Sequence, residues 1–326
     1  MQLQHLLPQA FGPRFGAQRN ARINLYSIFS GSLAIQESLQ LDAMSGNQPG
    51  DHGRPLVPID GLSGPTVKSH PWVEMLAGKR PEVSRLAQCV PEDHLFVRFE
   101  SVSKLLAMGG VVDESYAYAA GQATGAIRSA GAIEGLKNQW MVETSGLLKP
   151  LYDTAFGEVA IASSDLFFRE GTDATLIMRL KQPAVVRATL NQVLHVMAKQ
   201  NPEAAIETGE LLGVAFTHVT TPDRSFHVYA ADPVDDIHIR SNSRVGFEAV
   251  VRTILGEPED GSTIKRMSDS DEFKYIRTLM PLGADEEDGF IYMSDPFIRR
   301  LIGPEKKLTQ RNRLVCRSHL QMIRHA

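Results

Sequence analysis

The sequence has very little cysteine: Cys89 and Cys316 are the only two among 326 residues. Two thiols are too few for the disulfide framework of a small secreted domain or for a cysteine-rich zinc site. A chain of this length needs neither, because it buries roughly 75% of the surface that its unfolded form exposes. The cysteine content therefore excludes a disulfide scaffold. It leaves the cellular compartment open, since a protein of this size can be secreted without disulfides.

An excess of charge of one sign is also lacking. The chain has 34 lysines and arginines against 38 aspartates and glutamates, which gives a formal net charge of −4. Binding to nucleic acid or to an acidic membrane through overall charge requires a strongly basic protein. The composition therefore does not indicate nucleic acid as a partner.

Long apolar runs are missing as well. The longest apolar candidate spans residues 23–35 and contains one asparagine and three serines. It is shorter than the roughly 20 residues that a membrane-spanning helix needs, and no small-residue cleavage site of a signal peptide follows it. We interpret it as the start of an amphipathic helix that ends near Met44, and we predict no transmembrane segment in this chain.

The sequence lacks the local motifs of well-known catalytic sites. It contains no glycine-rich phosphate loop, no nucleophile elbow and no metalloprotease helix. We therefore predict no catalytic residue and no residue that binds an organic cofactor. Because catalytic triads assemble from distant parts of a chain, enzymatic activity stays open, and a protein that is not an enzyme is the favoured interpretation.

Glycine and proline, by contrast, are concentrated in residues 45–71, where ten of them occur. Proline lacks a backbone donor and glycine loses too much entropy on folding, so this stretch is neither a helix nor a central strand. The sequence therefore divides into an N-terminal helix with a Gly/Pro-rich arm over residues 1–80 and a body over residues 81–326. The body has a candidate subdivision near residues 200–210.

Within the body, one unit recurs four times: a short apolar strand, a polar or proline cap, and an amphipathic helix. Apolar residues repeat every two positions in the strands and every three or four in the helices, which leaves each element one buried face. Serine, aspartate and asparagine at the caps accept the free amide hydrogens of the first helical turn. The four predicted strands lie near residues 95–99, 176–180, 237–239 and 290–293.

Two hairpins separate these units, with turns at residues 170–173 and 221–224 that contain Gly171 and Pro222. Hairpins combined with helices are typical of an α+β fold rather than of a doubly wound parallel sheet. We predict one or more antiparallel or mixed sheets with helices packed on one face, repeated strand, cap and helix units, and a helical N-terminal extension.

Several motifs together resemble a known family. They are Pro91-Glu92-Asp93, Phe156-Gly157-Glu158, Lys181-Gln182-Pro183, Arg240-Ser241-Asn242-Ser243 and Met267-Ser268-Asp269. Over about residues 86–303 the chain resembles the uncharacterised bacterial proteins called domain of unknown function 3352. The resemblance implies tandem α+β modules that follow a membrane anchor or export signal, and it carries no catalytic residue over to this chain. We expect a cytoplasmic protein if the chain is complete, and an extracytoplasmic one if an upstream signal or anchor is missing.

Three histidines are the candidate metal ligands. If the second hairpin turns at residues 222–223, His218 and His227 pair directly across it, with Cβ atoms about 5 Å apart. His238 lies between two isoleucines of the next strand, so we expect it to point to the same polar face. Three imidazoles on one face can bind zinc or a similar divalent metal. The alternative is that polar residues simply alternate outward on a half-buried sheet, and a one-residue register shift would move one histidine to the other face.

Charged runs flank the last predicted strand. Asp285-Glu286-Glu287-Asp288 lacks the ligand spacing of a calcium-binding loop, so we predict a solvated turn. After the strand, basic residues predominate and predict a basic amphipathic helix from about Lys306, which can contact an acidic protein partner or a membrane surface. The alternative is an ordinary packed helix with a solvated basic face. The basic residues are Arg299, Arg300, Lys306, Lys307, Arg311, Arg313, Arg317 and Arg324.

Two functions follow as hypotheses. The first is a non-catalytic binding or structural module, associated with the bacterial envelope as the resemblance implies, that uses its sheet and its basic C-terminal helix for protein contacts. The alternative is a metal-dependent hydrolase in which His218, His227 and His238 hold a divalent metal on one face of the sheet.

Overall fold

The strands pair antiparallel in a single sheet. A computed structural model describes residues 58, 62, 66–107, 132–142, 149–166, 172–258, 261, 263–284 and 287–306. Within these residues the strands are β1 Leu95–Phe99, β2 Phe156–Ser163, β3 Ala174–Leu180, β4 Ala205–Leu211, β5 Val214–Thr220, β6 His227–Val234, β7 Ile237–Ser241 and β8 Gly289–Met293. They form one eight-stranded sheet in the order β4-β5-β6-β7-β3-β2-β1-β8. The antiparallel sheet with its helices confirms the predicted α+β class.

Helices connect the strands. They are α1 Trp72–Leu76, α2 Ala132–Gln139, α3 Lys149–Ala155, α4 Pro183–Gln200, α5 Arg244–Leu255, α6 Asp271–Leu279 and α7 Asp295–Ile302, with 3-10 helices η1 Arg85–Cys89 and η2 Met267–Asp269. A further helical turn covers residues 102–107. The predicted N-terminal helix up to Met44 and the basic helix beyond Lys306 lie outside the described residues. Strands from both sides of residues 200–210 belong to the same sheet.

The prediction that the helices pack on one face of the sheet is wrong. Leu176 and Met178 of β3 share an apolar cluster with Val186 of α4. The residue between them, Ile177, lies in a different cluster with Phe247 of α5. Because successive side chains of a strand point to opposite faces, α4 and α5 cover opposite sides of the sheet. A central strand buried on both faces is apolar at nearly every position, so alternation does not reveal its solvent side.

Serine caps begin three of the helices, as the sequence predicts. The side-chain oxygens of Ser243, Ser270 and Ser294 accept backbone N–H groups at the starts of α5, α6 and α7. Each bond satisfies one of the amide donors that a first helical turn leaves without an intrahelical partner. Gly256 ends α5 at a φ of +78°, a left-handed conformation that glycine adopts without steric cost.

Among the described helices, none is both long enough and apolar enough to cross a membrane.

Candidate functional site

The structure brings His218 and His227 together, but not in the predicted register. His227 lies opposite Thr220, and His218 lies opposite Tyr229. The two-residue offset keeps both imidazoles on one face, where their ring centroids are 5.1 Å apart. The turn is longer than predicted because Thr221 closes it, accepting the Phe226 N–H on its hydroxyl and donating its own N–H to the Phe226 carbonyl.

His238 lies on the opposite face, so the prediction that the three histidines share one face is wrong. In the pairing of β6 with β7, Ala231 lies opposite Ile239 and Ala230 lies opposite Arg240. His227 is on the Ala231 side, whereas His238 alternates with Ile239 and is on the Ala230 side. Both faces of the sheet carry apolar clusters. The isoleucines beside His238 therefore did not show which face of the sheet the histidine was on.

A closed hydrogen-bond network surrounds His238, which is 1% exposed. Its Nδ1 lies 2.9 Å from Asp232 Oδ1, and Arg240 Nε donates to its Nε2 at 3.3 Å. Arginine only donates, so Nε2 accepts and the proton of the neutral ring is on Nδ1. Burial lowers the pKa of His238, which also favours the neutral ring. Arg240 donates as well to the Trp140 and Met141 carbonyls, so this network joins β7 to the end of α2.

The partly buried pair of His218 and His227 has little capacity for a metal. His218 stacks on Tyr229, with ring centroids 4.1 Å apart, and its Nδ1 lies 3.5 Å from Glu207 Oε2. Burial, helped by the charges of Arg224 and His218, lowers the pKa of His227 to about 4. In the part of the chain that the structure describes, no group of three or more histidine, cysteine, aspartate or glutamate side chains is arranged to hold a metal ion.

A second polar site, which we call the arginine cleft, lies where η1 passes over the sheet. It is an open cleft of about 380 Å³, and its lining includes Arg85, Arg98, Arg179 and Glu158. Arg85 comes from η1, and the other three residues come from three neighbouring strands. The strand order therefore brings together charged groups that are far apart in the sequence.

The alternation of the strands places these side chains on one face. Arg98 is two residues after Phe96, and Arg179 is two residues after Ile177; both apolar residues belong to the cluster that includes η1 and α5. Side chains two positions apart on a strand share a face. Arg98 and Arg179 therefore point to the side of the sheet where Arg85 lies.

Glu158 reaches the same face by alternation along β2, because it lies two residues before Ala160 of the same cluster. A bulge beside it turns Phe156 to the other face. The register shift between Phe156 and Val159 places Gly157 and Glu158 opposite the single residue Arg179. Phe156 and Val159 both join the cluster with α2 and α4, and Glu158 lies on the other side. A bulge of this kind redirects a side chain locally while the rest of the strand keeps its pairing.

Arg98 and Glu158 form a buried ion pair at the floor of the cleft. Arg98 Nε donates to Glu158 Oε2 at 2.7 Å, and the two side chains are 9% and 8% exposed. The hydroxyl of Ser84 donates to the same carboxylate oxygen at 2.6 Å. Charges withdrawn from water require this degree of compensation. These bonds hold both side chains in one orientation.

Glu287 is a second buried partner of Arg98, and the prediction of a solvated acidic turn is wrong for this residue. Arg98 Nη1 donates to its Oε1 at 3.0 Å, and Arg277 Nη2 lies 3.2 Å from its Oε2. The Glu287 side chain is 8% exposed, whereas that of Asp288 is 81% exposed. Two buried guanidinium groups draw one carboxylate of the run inward. Residues 285–286 lie outside the described residues.

The other two arginines of the cleft contact carboxylates at longer distances, although Arg85 Nη1 also donates to Gln88 Oε1 at 2.6 Å. Arg85 Nη2 lies 3.5 Å from Asp236 Oδ1, and Arg179 Nε lies 3.6 Å from Asp236 Oδ2. Arg179 Nη1 also lies 3.9 Å from Glu158 Oε1. Charge-assisted hydrogen bonds to carboxylates are usually about 2.7–2.9 Å long. With side chains 39% and 50% exposed, Arg85 and Arg179 retain donors for another anion.

The arginine cleft was not predicted from the sequence, although charged residues within apolar strands pointed to buried ion pairs. Arg98, Glu158 and Arg179 each lie within a strand that is otherwise mostly apolar. Arginine and glutamate are almost never fully buried unless they are paired, so a charge inside an apolar strand indicates a buried partner. The partners themselves could not be identified, because they depend on the strand order.

No family model, no curated protein and no solved structure matches this chain.

Proposed function

We propose that this chain is a non-catalytic binding module whose ligand site is the arginine cleft. The observation that carries the proposal is the fixed orientation of Arg98 and Glu158, which are more than nine-tenths buried yet line an open cleft. Their mutual bond and the hydroxyl of Ser84 hold them in place. Polar groups held in place before the ligand arrives lose little entropy on binding, which favours specific recognition.

The size and chemistry of the cleft support binding rather than catalysis. Its volume of about 380 Å³ lies within the range of small-molecule sites, roughly 300–1,000 Å³. Arginine stays protonated in proteins, so Arg85, Arg98 and Arg179 can donate hydrogen bonds but cannot act as general bases. The Glu158 carboxylate already accepts bonds from Ser84 and Arg98. These groups are suited to holding a polar ligand.

The predicted elements outside the cleft have supporting roles in this proposal. The repeated strand, cap and helix units form the scaffold that presents the cleft. The helical N-terminal extension and the basic C-terminal helix from about Lys306 provide contacts to a protein partner. Membership in the domain of unknown function 3352 family and association with the bacterial envelope stay predictions that rest on the sequence motifs.

The alternative, a metal-dependent hydrolase, is not favoured by the geometry. It requires His218, His227 and His238 to act together, and His238 lies on the opposite face of the sheet. The remaining pair provides two imidazole ligands, whereas catalytic zinc sites use three protein ligands.

A ligand screen tests the proposal. Propionate, succinate, inorganic phosphate, ethylamine and glucose are each added to the full chain, and the melting temperature is measured. A ligand present at ten times its dissociation constant stabilises by about 1.4 kcal/mol, or roughly 2 °C for a chain of this size. We expect at least one probe to produce this increase.

The matched variant is Leu282→Trp, which adds bulk to a residue that lines the cleft and changes no charge. We expect the ligand-induced increase to disappear in this variant. The proposal is refuted if no probe raises the melting temperature, or if the increase is the same in Leu282→Trp.

A further inference from the structure

Charged groups of both signs surround the cleft. Four guanidinium groups and three carboxylates contact one another there. The arginines are Arg85, Arg98, Arg179 and Arg277, and the carboxylates are Glu158, Asp236 and Glu287. Glu100, which also lines the cleft, pairs with Lys104, whose Nζ lies 2.8 Å from its carboxylate and 3.4 Å from that of Asp288. Glu82 is exposed on the rim, where water screens its charge.

Arg85 and Arg179 have the longest contacts to carboxylates among these arginines. Arg98 bonds the buried Glu158 and Glu287 at 2.7 and 3.0 Å. By contrast, Arg85 and Arg179 share the single carboxylate of Asp236, one on each oxygen, at 3.5 and 3.6 Å. Arg85 Nη1 also donates to Gln88 Oε1 at 2.6 Å. Most of the ten N–H donors of the two guanidinium groups have no close acceptor among the described residues.

We infer that the arginine cleft binds a small organic monocarboxylate through Arg179 and Arg85, in competition with the internal carboxylate of Asp236. The inference rests on the proposed function and adds the ligand class to it. A carboxylate matches the planar fork of a guanidinium group with two parallel hydrogen bonds. Its single negative charge is repelled less by the nearby carboxylates of Glu82, Glu100 and Glu158 than the two charges of a phosphate dianion.

The Asp236 side chain can leave the arginines when a ligand binds, while its backbone stays in place. It lies in the connection between β6 and β7, and its backbone carbonyl accepts the N–H of Leu180 at the end of β3. The backbone bond holds the segment while the side chain, 31% exposed, turns away from the arginines. An incoming carboxylate therefore replaces one set of ionic contacts with a closer set.

Isothermal titration calorimetry with three probes tests this inference on the full chain. The probes are propionate, its neutral isostere propionamide, and inorganic phosphate. We expect propionate to bind more tightly than either of the others. Arg179→Gln and Arg85→Gln should each weaken propionate binding at least fivefold. The matched control Arg244→Gln removes the same charge from a side chain with 47% exposure, close to the 50% of Arg179, and should change the affinity less than twofold.

Asp236→Asn should strengthen binding, a result that a damaged structure would not produce. The amide removes the competing negative charge, so propionate should bind at least threefold more tightly than to the unaltered chain. The inference is overturned if Asp236→Asn weakens binding, if Arg179→Gln leaves it unchanged, or if phosphate binds more tightly than propionate. A further outcome separates the two proposals: propionamide binds, Leu282→Trp abolishes that binding, and propionate does not bind. The proposed function is then supported, and the assignment of a carboxylate ligand is wrong. If none of the five screening probes raises the melting temperature, the proposed function itself fails.

Discussion

The buried ion pair of Arg98 and Glu158 makes a quantitative prediction about stability. Glu158→Leu leaves the Arg98 guanidinium 9% exposed with Glu287 as its remaining carboxylate partner. Arg98→Met leaves the Glu158 carboxylate with the Ser84 hydroxyl and a distant Arg179. Removing one member of a buried pair usually costs 3–5 kcal/mol. Since each group keeps one other partner, we expect about 3 kcal/mol for each single substitution.

The double substitution should cost no more than either single one. Once both charges are gone, neither position leaves an unpaired ion, and Glu287 keeps the buried Arg277 as its partner. Methionine and leucine fill a similar volume. The coupling free energy between the two positions is then about 3 kcal/mol, at the upper end of values for contacting residues. Independent contributions would instead add to about 6 kcal/mol.

Urea unfolding measures these costs. Circular dichroism and tryptophan fluorescence are followed together, because coincident transitions are needed for a two-state treatment. With a slope of about 3 kcal/mol per molar urea, a cost of 3 kcal/mol lowers the midpoint by about 1 M. The exposed pair Arg244 and Glu248 on α5 is the matched control. Its double substitution to methionine and leucine should give a coupling below about 0.5 kcal/mol.

Two results would refute this reasoning. Additive costs in the double variant would mean that the two charges are not energetically linked. Single costs below about 1 kcal/mol would mean that water or another group compensates the remaining charge, and the cleft floor would then not be rigid.

Three further predictions concern His227, Cys89 and Gly209. The pKa of His227 is lowered from 6.5 to about 4 in the folded state, so the unfolded state binds more protons between these values. Stability should fall as the pH drops from 6.5 to 4, less steeply in His227→Gln, as measured by urea midpoints across the pH range. Burial raises the pKa of Cys89 to about 12, so little of the reactive thiolate forms at pH 8. In a Cys316→Ser variant, iodoacetamide at pH 8 should therefore alkylate Cys89 about a hundredfold more slowly in the folded chain than in the unfolded chain. A Cβ at Gly209 would lie 2.5 Å from Phe216 Cζ, so Gly209→Ala should lower the free energy of unfolding by about 1–3 kcal/mol.

Each of these has an opposing outcome. A pH profile that His227→Gln leaves unchanged would assign the acid sensitivity to other groups. Equal alkylation rates in the folded and unfolded chains would place the Cys89 thiol in contact with solvent. An unaltered urea midpoint in Gly209→Ala would mean that the Phe216 ring moves aside at no cost.

The sequence determined much of the local structure. The cap residues Ser243 and Ser294 begin helices after the predicted strands near residues 237–239 and 290–293, because a cap bond forms within four consecutive residues. The hairpin near residue 222 formed too, but its register differed, since Thr221 closes the turn with contacts that the turn residues alone did not indicate.

The positions of the sites depended on the tertiary structure. Alternation along β7 correctly places His238 and Ile239 on opposite faces. It does not tell whether His238 and His218 lie on the same face, because apolar clusters cover both faces of the sheet. The strand order places β7 between β6 and β3 and not at an edge. Both faces of β7 are therefore buried, and His238 bonds to Asp232 inside the protein.

The scarcity of cysteine, the balanced charge and the capped amphipathic units determined by themselves that the chain folds as an α+β protein without a disulfide scaffold. These features follow from composition and from contacts between near neighbours. The arginine cleft was decided by the tertiary structure alone, because its charges come from η1, three strands, the β6–β7 connection and the segment before β8. The strand order brings Arg98, Glu158 and Arg179 side by side on one face, and it cannot be derived from local sequence.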